Sequence, residues 1–275
     1  MDIIRFRVVG LNFDRLNRGD AENGDRKLQL FSARTWFSLS NVELSHHMST
    51  HVRDIFMFKF VVGIWITAGL ILGFAVPPIV DNATGGRLMT PQIAFFHVPM
   101  AVAMEVAFIL AAWNGVRWLM SRDKKFDALS LSYAEVGTVF GVIATCSGSV
   151  FAKANWNTYW SWDPQQVGIL TTLLTYGALF SLRGAVEDDD KKRSLWSVYA
   201  ILGLLTALFS TVIWRRLRPE LESLHPKNTL VTSDPLNRFS LWFNVAGYVM
   251  LLVFVANVRA RLEMAGERLK ELQWA

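Results

Sequence analysis

IAFFHVPMAVAMEVAFILAAWNGVRWL, residues 93–119, is apolar over nearly its whole length, and its charged side chains are Glu105 and Arg117. A helix needs about 20 mostly apolar residues to cross the hydrocarbon core of a bilayer. Five other segments also qualify: 57–79, 132–152, 165–182, 195–214 and 239–258. The sequence therefore predicts an all-α, polytopic integral membrane protein with six transmembrane helices.

Composition agrees with this class and excludes others. Hydrophobic residues make up 52% of the chain, and the charges are confined to short stretches between the apolar segments. The net charge of +5 is ordinary for a membrane protein with basic loops, so it does not indicate nucleic-acid binding. The single cysteine, Cys146, excludes an intrachain disulfide and a Cys-x-x-Cys-His heme attachment site, so the chain is not itself a c-type cytochrome.

The N-terminal residues 1–52 are charged and lack the apolar core of a signal peptide. We interpret them as a cytoplasmic extension that is either disordered or upstream of a true start at Met48, and we assign 53–275 to the membrane domain. A histidine group at His46, His47 and His51 either binds a transition metal loosely or belongs to a solvated tail.

The distribution of Lys and Arg predicts the orientation. The second and fourth connections and the C-terminal tail carry twelve of these residues, against seven in the first, third and fifth connections. Basic loops favour the cytoplasmic side, which places both termini in the cytoplasm. The connections 80–92, 153–164 and 215–238 are then external.

The third connection is rich in aromatic residues: Asn155-Trp156-Asn157-Thr158-Tyr159-Trp160-Ser161-Trp162-Asp163-Pro164. Trp and Tyr gather at membrane interfaces in any case. However, an interfacial belt spreads over all loop ends, whereas these lie in one connection. Indole rings also suit a large planar ligand, because they offer flat faces and an N–H donor. From the residues alone, a belt and a ligand platform both remain open.

The spacing Trp156-x-x-x-Trp160-x-Trp162-Asp163 resembles the WWD signature of heme-handling membrane proteins, the family that includes CcmC, CcmF and CcsA. Over about 57–258 the chain resembles the CcmC (heme exporter protein C) branch of this family. The resemblance rests on the six spans, the position of the loop, and the stretches Phe96-His97-Val98-Pro99 and Leu224-His225. The chain departs from the branch at Asn157, where Gly is common, at Pro164-Gln165-Gln166, and in the Arg/Glu-rich stretch before His225. These departures concern loop conformation and partner choice.

His97 and His225 are the histidines outside the N-terminal segment, and both are predicted on the side of the WWD loop. Either one alone would be read as a hydrogen-bonded interface residue. Imidazole is, however, a standard axial ligand of heme iron, so together they are predicted to be the axial pair. Pro99 is expected in the first turn of the second helix, where it would help to orient His97.

Two further charged features are unusual. The external residues Arg215, Arg216 and Arg218 run against the orientation bias; they either contact a heme propionate or an acidic partner, or pair with Glu220 and Glu222. Glu105 lies about 12 Å deeper than His97 at 1.5 Å per residue. We predict that its carboxyl makes a structural hydrogen bond to Ser or Thr of another span.

The resemblance implies a non-enzymatic protein of cytochrome c maturation in the cytoplasmic (inner) membrane. Heme b would rest on Trp156, Trp160 and Trp162, with His97 and His225 on the iron and Asp163 capping or orienting the loop. The implied partners are the heme chaperone CcmE, the ABC transporter CcmA/CcmB and the small protein CcmD. A cytochrome c synthase subunit of the CcsA type and a b-type heme membrane anchor remain alternatives.

Overall fold

The computed structural model describes residues 57–76, 79, 91–213, 217, 224–225 and 234–273. The chain divides into two units, Met1–Met57 and Phe58–Ala275. The described residues lie in the second unit, except for Met57. The N-terminal extension 1–52, with its histidines and Met48, lies outside the described residues.

The described residues form six helices long and apolar enough to cross a membrane, as predicted. They are α1 (Met57–Ala75), α2 (Ala94–Ser121, after a 3₁₀ turn at Pro91–Ile93), α3 (Lys124–Trp156), α4 (Pro164–Ala185), α5 (Asp189–Leu208) and α6 (Pro235–Gln273). A π-helical turn, Phe209–Ile213, continues α5. The described part of the chain contains no strand. Its fold is that of an all-α, multi-pass membrane protein.

Several helix boundaries differ from those predicted. Helix α3 has 33 residues and α6 has 39, whereas about 20 residues cross the hydrocarbon core. Both helices continue into polar sequence, because polar side chains outside the apolar layer do not end a helix. The predicted loop 153–164 is therefore too long. Residues 153–156 are the end of α3 and Pro164 begins α4, so the WWD loop itself is 157–163.

The prediction for Pro99 is wrong. Helical structure begins with the turn Pro91–Ile93, and Pro99 lies inside α2. His97 consequently stands in the second turn of the helical segment rather than at its opening.

Helix α2 occupies the centre of the bundle and packs most extensively on α3. Ala103, Ala107 and Ala111 of α2 are fully buried along one face. A Cβ atom on Gly137 of α3 would lie 2.7 Å from the Ala107 Cβ. Small residues let helix backbones approach closely in a membrane, where packing replaces the hydrophobic effect between helices.

Ionic contacts join four helices at the end of the bundle opposite to the WWD loop. The buried Asp127 of α3 accepts two hydrogen bonds from Arg183 of α4, at 2.8 and 2.7 Å. Arg193 of α5 lies 3.4 Å from Asp127 and donates to Glu267 of α6. Charged groups are costly to bury unless they are paired, and here each has an oppositely charged partner.

Glu105 has the kind of partner that the sequence predicts. The Thr211 hydroxyl, in the π-helical turn after α5, donates to Glu105 Oε1 at 2.6 Å. Glu105 Oε2 is buried, with no hydrogen-bond partner within the described ranges. The carboxyl therefore links α2 to α5 inside the membrane layer.

Candidate functional site

His97 lies against α3, and its ring is held by the backbone of that helix. The Nδ1 atom is 2.8 Å from the carbonyl oxygen of Ala144 and 3.3 Å from the Ser147 hydroxyl. A carbonyl oxygen only accepts hydrogen bonds, so Nδ1 carries the proton in the Ala144 contact. The lone pair of the neutral ring is then on Nε2.

His225 is fixed in a similar way, by a side chain instead of a backbone carbonyl. Its Nδ1 atom is 3.0 Å from Asp163 Oδ1. The backbone N–H of the preceding Leu224 donates to Asp163 Oδ2 at 2.6 Å. Asp163 thus attaches the connection between α5 and α6 to the WWD loop across 62 residues of sequence.

Asp163 also caps the N-terminus of helix α4, as predicted. It is the N-cap residue, and its Oδ1 accepts from the Gln165 N–H at 2.9 Å. Proline follows at the first helical position, where a missing N–H is not needed. A carboxylate at this position is further stabilised by the positive end of the helix dipole.

The pKa of the Asp163 carboxyl reflects these contacts. Burial alone would raise it, but the hydrogen bond with His225, the Gln165 N–H, the charge of His225 and the Leu224 N–H lower the pKa from 3.8 to about 2. The group is therefore a carboxylate at neutral pH and can accept the Nδ1 proton of His225.

The three tryptophans occupy two places. Trp156 is the last residue of α3, with its ring centroid 5.9 Å from that of His225. Trp160 and Trp162 lie in the loop, with perpendicular rings 5.8 Å apart. Trp162 and Tyr159 are 70% and 59% exposed. The end of α3 therefore offers an indole beside His225, and the loop offers two more with accessible surface.

Buried hydrogen bonds fix the loop conformation. The Gln166 side chain is buried, and its Oε1 accepts from the Ser161 N–H at 2.8 Å. The Thr158 hydroxyl donates to the Trp160 carbonyl at 3.0 Å. These two contacts involve residues that the sequence pattern did not single out as functional. Gln166 falls in one of the departures from the family pattern.

Two loop residues have left-handed backbone conformations, Asn157 (φ 58°) and Trp162 (φ 59°). Asn157 ends α3, a position that favours Gly and tolerates Asn. This explains why Asn can stand at a position where the resemblance implies Gly. A bulky residue at positive φ is strained, so the contacts of the loop must hold Trp162 there.

The predicted site residues gather at one end of the bundle. Asp163 contacts His225, and Trp156 packs beside the same imidazole. His97 contacts Ala144 and Ser147 of α3, the helix that ends at Trp156. The arginines that were predicted to contact a propionate or an acidic partner, or to pair with nearby glutamates, lie outside the described residues, as do the glutamates: Arg215, Arg216, Arg218, Glu220 and Glu222.

The chain as a whole matches a known family. The sequence model of the family described as heme exporter protein C (CcmC) matches residues 35–275. The chain belongs to the heme exporter protein C family. The match extends beyond the 57–258 over which the sequence motifs carry the resemblance.

Individual heme exporter C proteins match over most of their length. That of Paracoccus denitrificans is 28% identical over 212 residues, covering 74% of this chain and 83% of the relative. The Rhodobacter capsulatus protein is 26% identical over 213 residues, covering 74% and 84%. That of Escherichia coli is 27% identical over 203 residues, covering 71% and 78%. Membership in the heme exporter C family supports a role in heme handling, by transport or delivery.

Proposed function

We propose that this chain binds heme b at the outer end of the bundle and presents it for cytochrome c maturation. In this proposal His97 and His225 are the axial ligands of the iron. The heme is bound as cargo, and its porphyrin ring contacts the indoles of Trp156, Trp160 and Trp162.

The observation that carries the proposal is that the two imidazoles make the same kind of hydrogen bond through Nδ1. Each has Nδ1 against an acceptor, the Ala144 carbonyl for His97 and the Asp163 carboxylate for His225. Histidines that bind metal commonly donate their second ring N–H to a carbonyl or carboxylate, which fixes the tautomer and makes the coordinating nitrogen more basic. Both rings are therefore prepared to coordinate through Nε2.

The indoles support a planar aromatic ligand. Trp156 is adjacent to His225, so a porphyrin with its iron on that imidazole would extend over the end of α3. Trp162 is largely exposed in a fixed loop and can be approached by another protein. This combination suits a site that holds heme and also releases it.

The transfer of heme to another protein is inferred from the resemblance to the family. We propose that the recipient is the heme chaperone CcmE, and that the chain works with the ABC transporter CcmA/CcmB and with CcmD. The site would be external in the cytoplasmic membrane, with both termini cytoplasmic, 1–52 as an N-terminal extension and 53–275 as the membrane domain. Family membership favours delivery over the CcsA-type synthase.

The axial ligands are tested by heme titration of the purified full chain. His97→Ala and His225→Ala should each alter the Soret and α bands, because each removes one iron ligand. His51→Ala is the control, since this histidine belongs to the N-terminal segment, and it should keep the parent spectrum. Unaltered bands in both site variants would overturn the assignment.

The role of the loop tryptophans requires a separate experiment. Trp160→Ala/Trp162→Ala should lower heme transfer to the purified chaperone while the iron ligands stay in place. The matched control is Trp113→Ala, an exposed indole on α2 outside the loop. Normal transfer by the double variant would remove the role of the loop.

A further inference from the structure

We propose that Gly148 is a positioning residue for the iron ligand His97: the absence of a side chain at this point of α3 creates the place where the imidazole lies. The inference rests on the proposed function, because it assigns a purpose to the His97 geometry. It concerns a residue of the third helix that no sequence motif of the site includes.

The contact is specific in its distances. A Cβ atom on Gly148 would lie 2.7 Å from His97 Cε1, 3.2 Å from Nδ1 and 3.5 Å from Nε2. Real Cβ atoms essentially never approach another heavy atom as closely as the first of these distances. The ring edge therefore lies directly on the backbone of α3, in space that any other residue would fill.

The imidazole has little room to move away. Its Nδ1 is held at 2.8 Å from the Ala144 carbonyl, one helical turn before Gly148. An added methyl group would push the ring from the Cε1 side and so break or lengthen this hydrogen bond. Without this hydrogen bond, neither the tautomer of the ring nor the direction of Nε2 would be fixed.

Other tight glycines of α3 have different neighbours. Gly137 faces Ala107 and Phe108, and Gly141 faces Met104 and Leu173. Among the glycines within the described ranges, Gly148 is the one whose missing Cβ faces a histidine. Because Gly weakens a helix interior relative to Ala, its presence at this position calls for a packing reason. The His97 ring supplies one.

The test compares Gly148→Ala with Gly137→Ala. Both substitutions add one methyl group on α3 at 2.7 Å from an α2 atom, but only the first meets His97. Gly148→Ala should weaken heme binding about 10- to 100-fold, as loss of a supporting contact to a metal ligand typically does, and should alter the Soret band. Folded Gly137→Ala protein should keep the parent affinity and spectrum.

The same pair of variants in a His97→Ala background separates positioning from general packing. Without the ring, Gly148→Ala should cause no further loss of heme affinity and should not lower the melting temperature of the heme-free protein. If Gly148→Ala alone fails to fold, recovery of folded protein in Gly148→Ala/His97→Ala supports the inference, and failure to recover contradicts it.

The inference is also overturned by parent-like affinity and spectrum in Gly148→Ala when His97→Ala does alter the spectrum, or by an equal loss with and without His97. The melting-temperature comparison uses heme-free protein, so it remains decisive even if His97 proves not to be an iron ligand. Failure of the proposed function would instead appear as an unaltered spectrum in His97→Ala itself.

Discussion

Asp163 combines two roles at the residue scale. Its carboxylate caps helix α4 through the Gln165 N–H and also holds Leu224 and His225. An N-cap typically contributes about 1 kcal/mol to stability. The second role matters more for the site, because the same carboxylate fixes the proton of a proposed iron ligand. Replacement of Asp163 therefore affects both the loop and the histidine.

The lowered pKa of Asp163 predicts a pH-dependent contribution to stability. The folded value of about 2 is below the ordinary 3.8, so the contribution is fully present above about pH 4 and is lost as the pH falls through 2. The variant Asp163→Asn can still cap the helix but lacks the charge. The difference in unfolding free energy between parent and variant, measured by denaturation in detergent, should shrink between about pH 4 and pH 2. A constant difference over this range would contradict the account.

Single residues of the site could be predicted when their signal was local. Asp163 stands directly before Pro164, which is a typical N-terminal helix sequence, and its capping role was predicted correctly. Its contact with His225 was not predicted, since 62 residues separate the two. The proximity of Gly148 to His97 also depends on tertiary packing of α2 on α3, which periodicity does not reveal.

The π-helical turn after α5 is the clearest irregularity at the scale of the elements. π-helical turns often occur where a side chain has a special function. Here Thr211 lies in the turn and donates to Glu105 of α2. The turn therefore provides the hydroxyl that satisfies one oxygen of a carboxyl within the membrane layer.

Replacement of this hydroxyl should destabilise the bundle without changing the proposed heme site. Thr211→Val leaves Glu105 Oε1 without its donor, at a cost of about 1–3 kcal/mol. The control is Thr206→Val, whose hydroxyl donates to Leu202 of its own helix. Thermal unfolding and the heme spectrum should be measured together. Equal melting temperatures for the two variants, or an altered spectrum in Thr211→Val, would argue against a purely structural link.

The elements show where sequence reasoning was accurate and where it was not. The hydrophobic segments identified all six helices, because the bilayer sets a minimum apolar length. That criterion measures the apolar run and not the helix, so it missed the polar end of α3 at 153–156 and the extension of α6 to Gln273. Pro99 was misplaced because a 3₁₀ turn at Pro91–Ile93 and the start of α2 at Ala94 precede it, so that it lies beyond the first turn.

At the scale of the whole molecule, the two ends of the bundle have different chemistry. One end brings together the imidazoles, the indoles and Asp163. The other carries the network of Asp127, Arg183, Arg193 and Glu267. Because the basic residues that predict the cytoplasmic side cluster at the second end, the proposed heme site is expected on the outer face.

Thiol labelling tests this orientation. In a Cys146→Ser background, Tyr159→Cys places a thiol in the exposed WWD loop, and Glu187→Cys places one in the exposed connection between α4 and α5. A membrane-impermeant maleimide should label Tyr159→Cys in intact spheroplasts. Glu187→Cys should react only after the membrane is opened. Labelling of both, or the reverse pattern, would contradict the proposed topology.

Axial coordination by His97 and His225 is tested by the electron paramagnetic resonance spectrum of the ferric heme complex. Coordination by both imidazoles predicts a low-spin signal in the parent protein, and conversion to a different spin state or ligand set in His97→Ala and in His225→Ala. The His51→Ala control should keep the parent signal. A parent spectrum without bis-imidazole character, or one that survives both substitutions unchanged, would show that these histidines do not hold the iron.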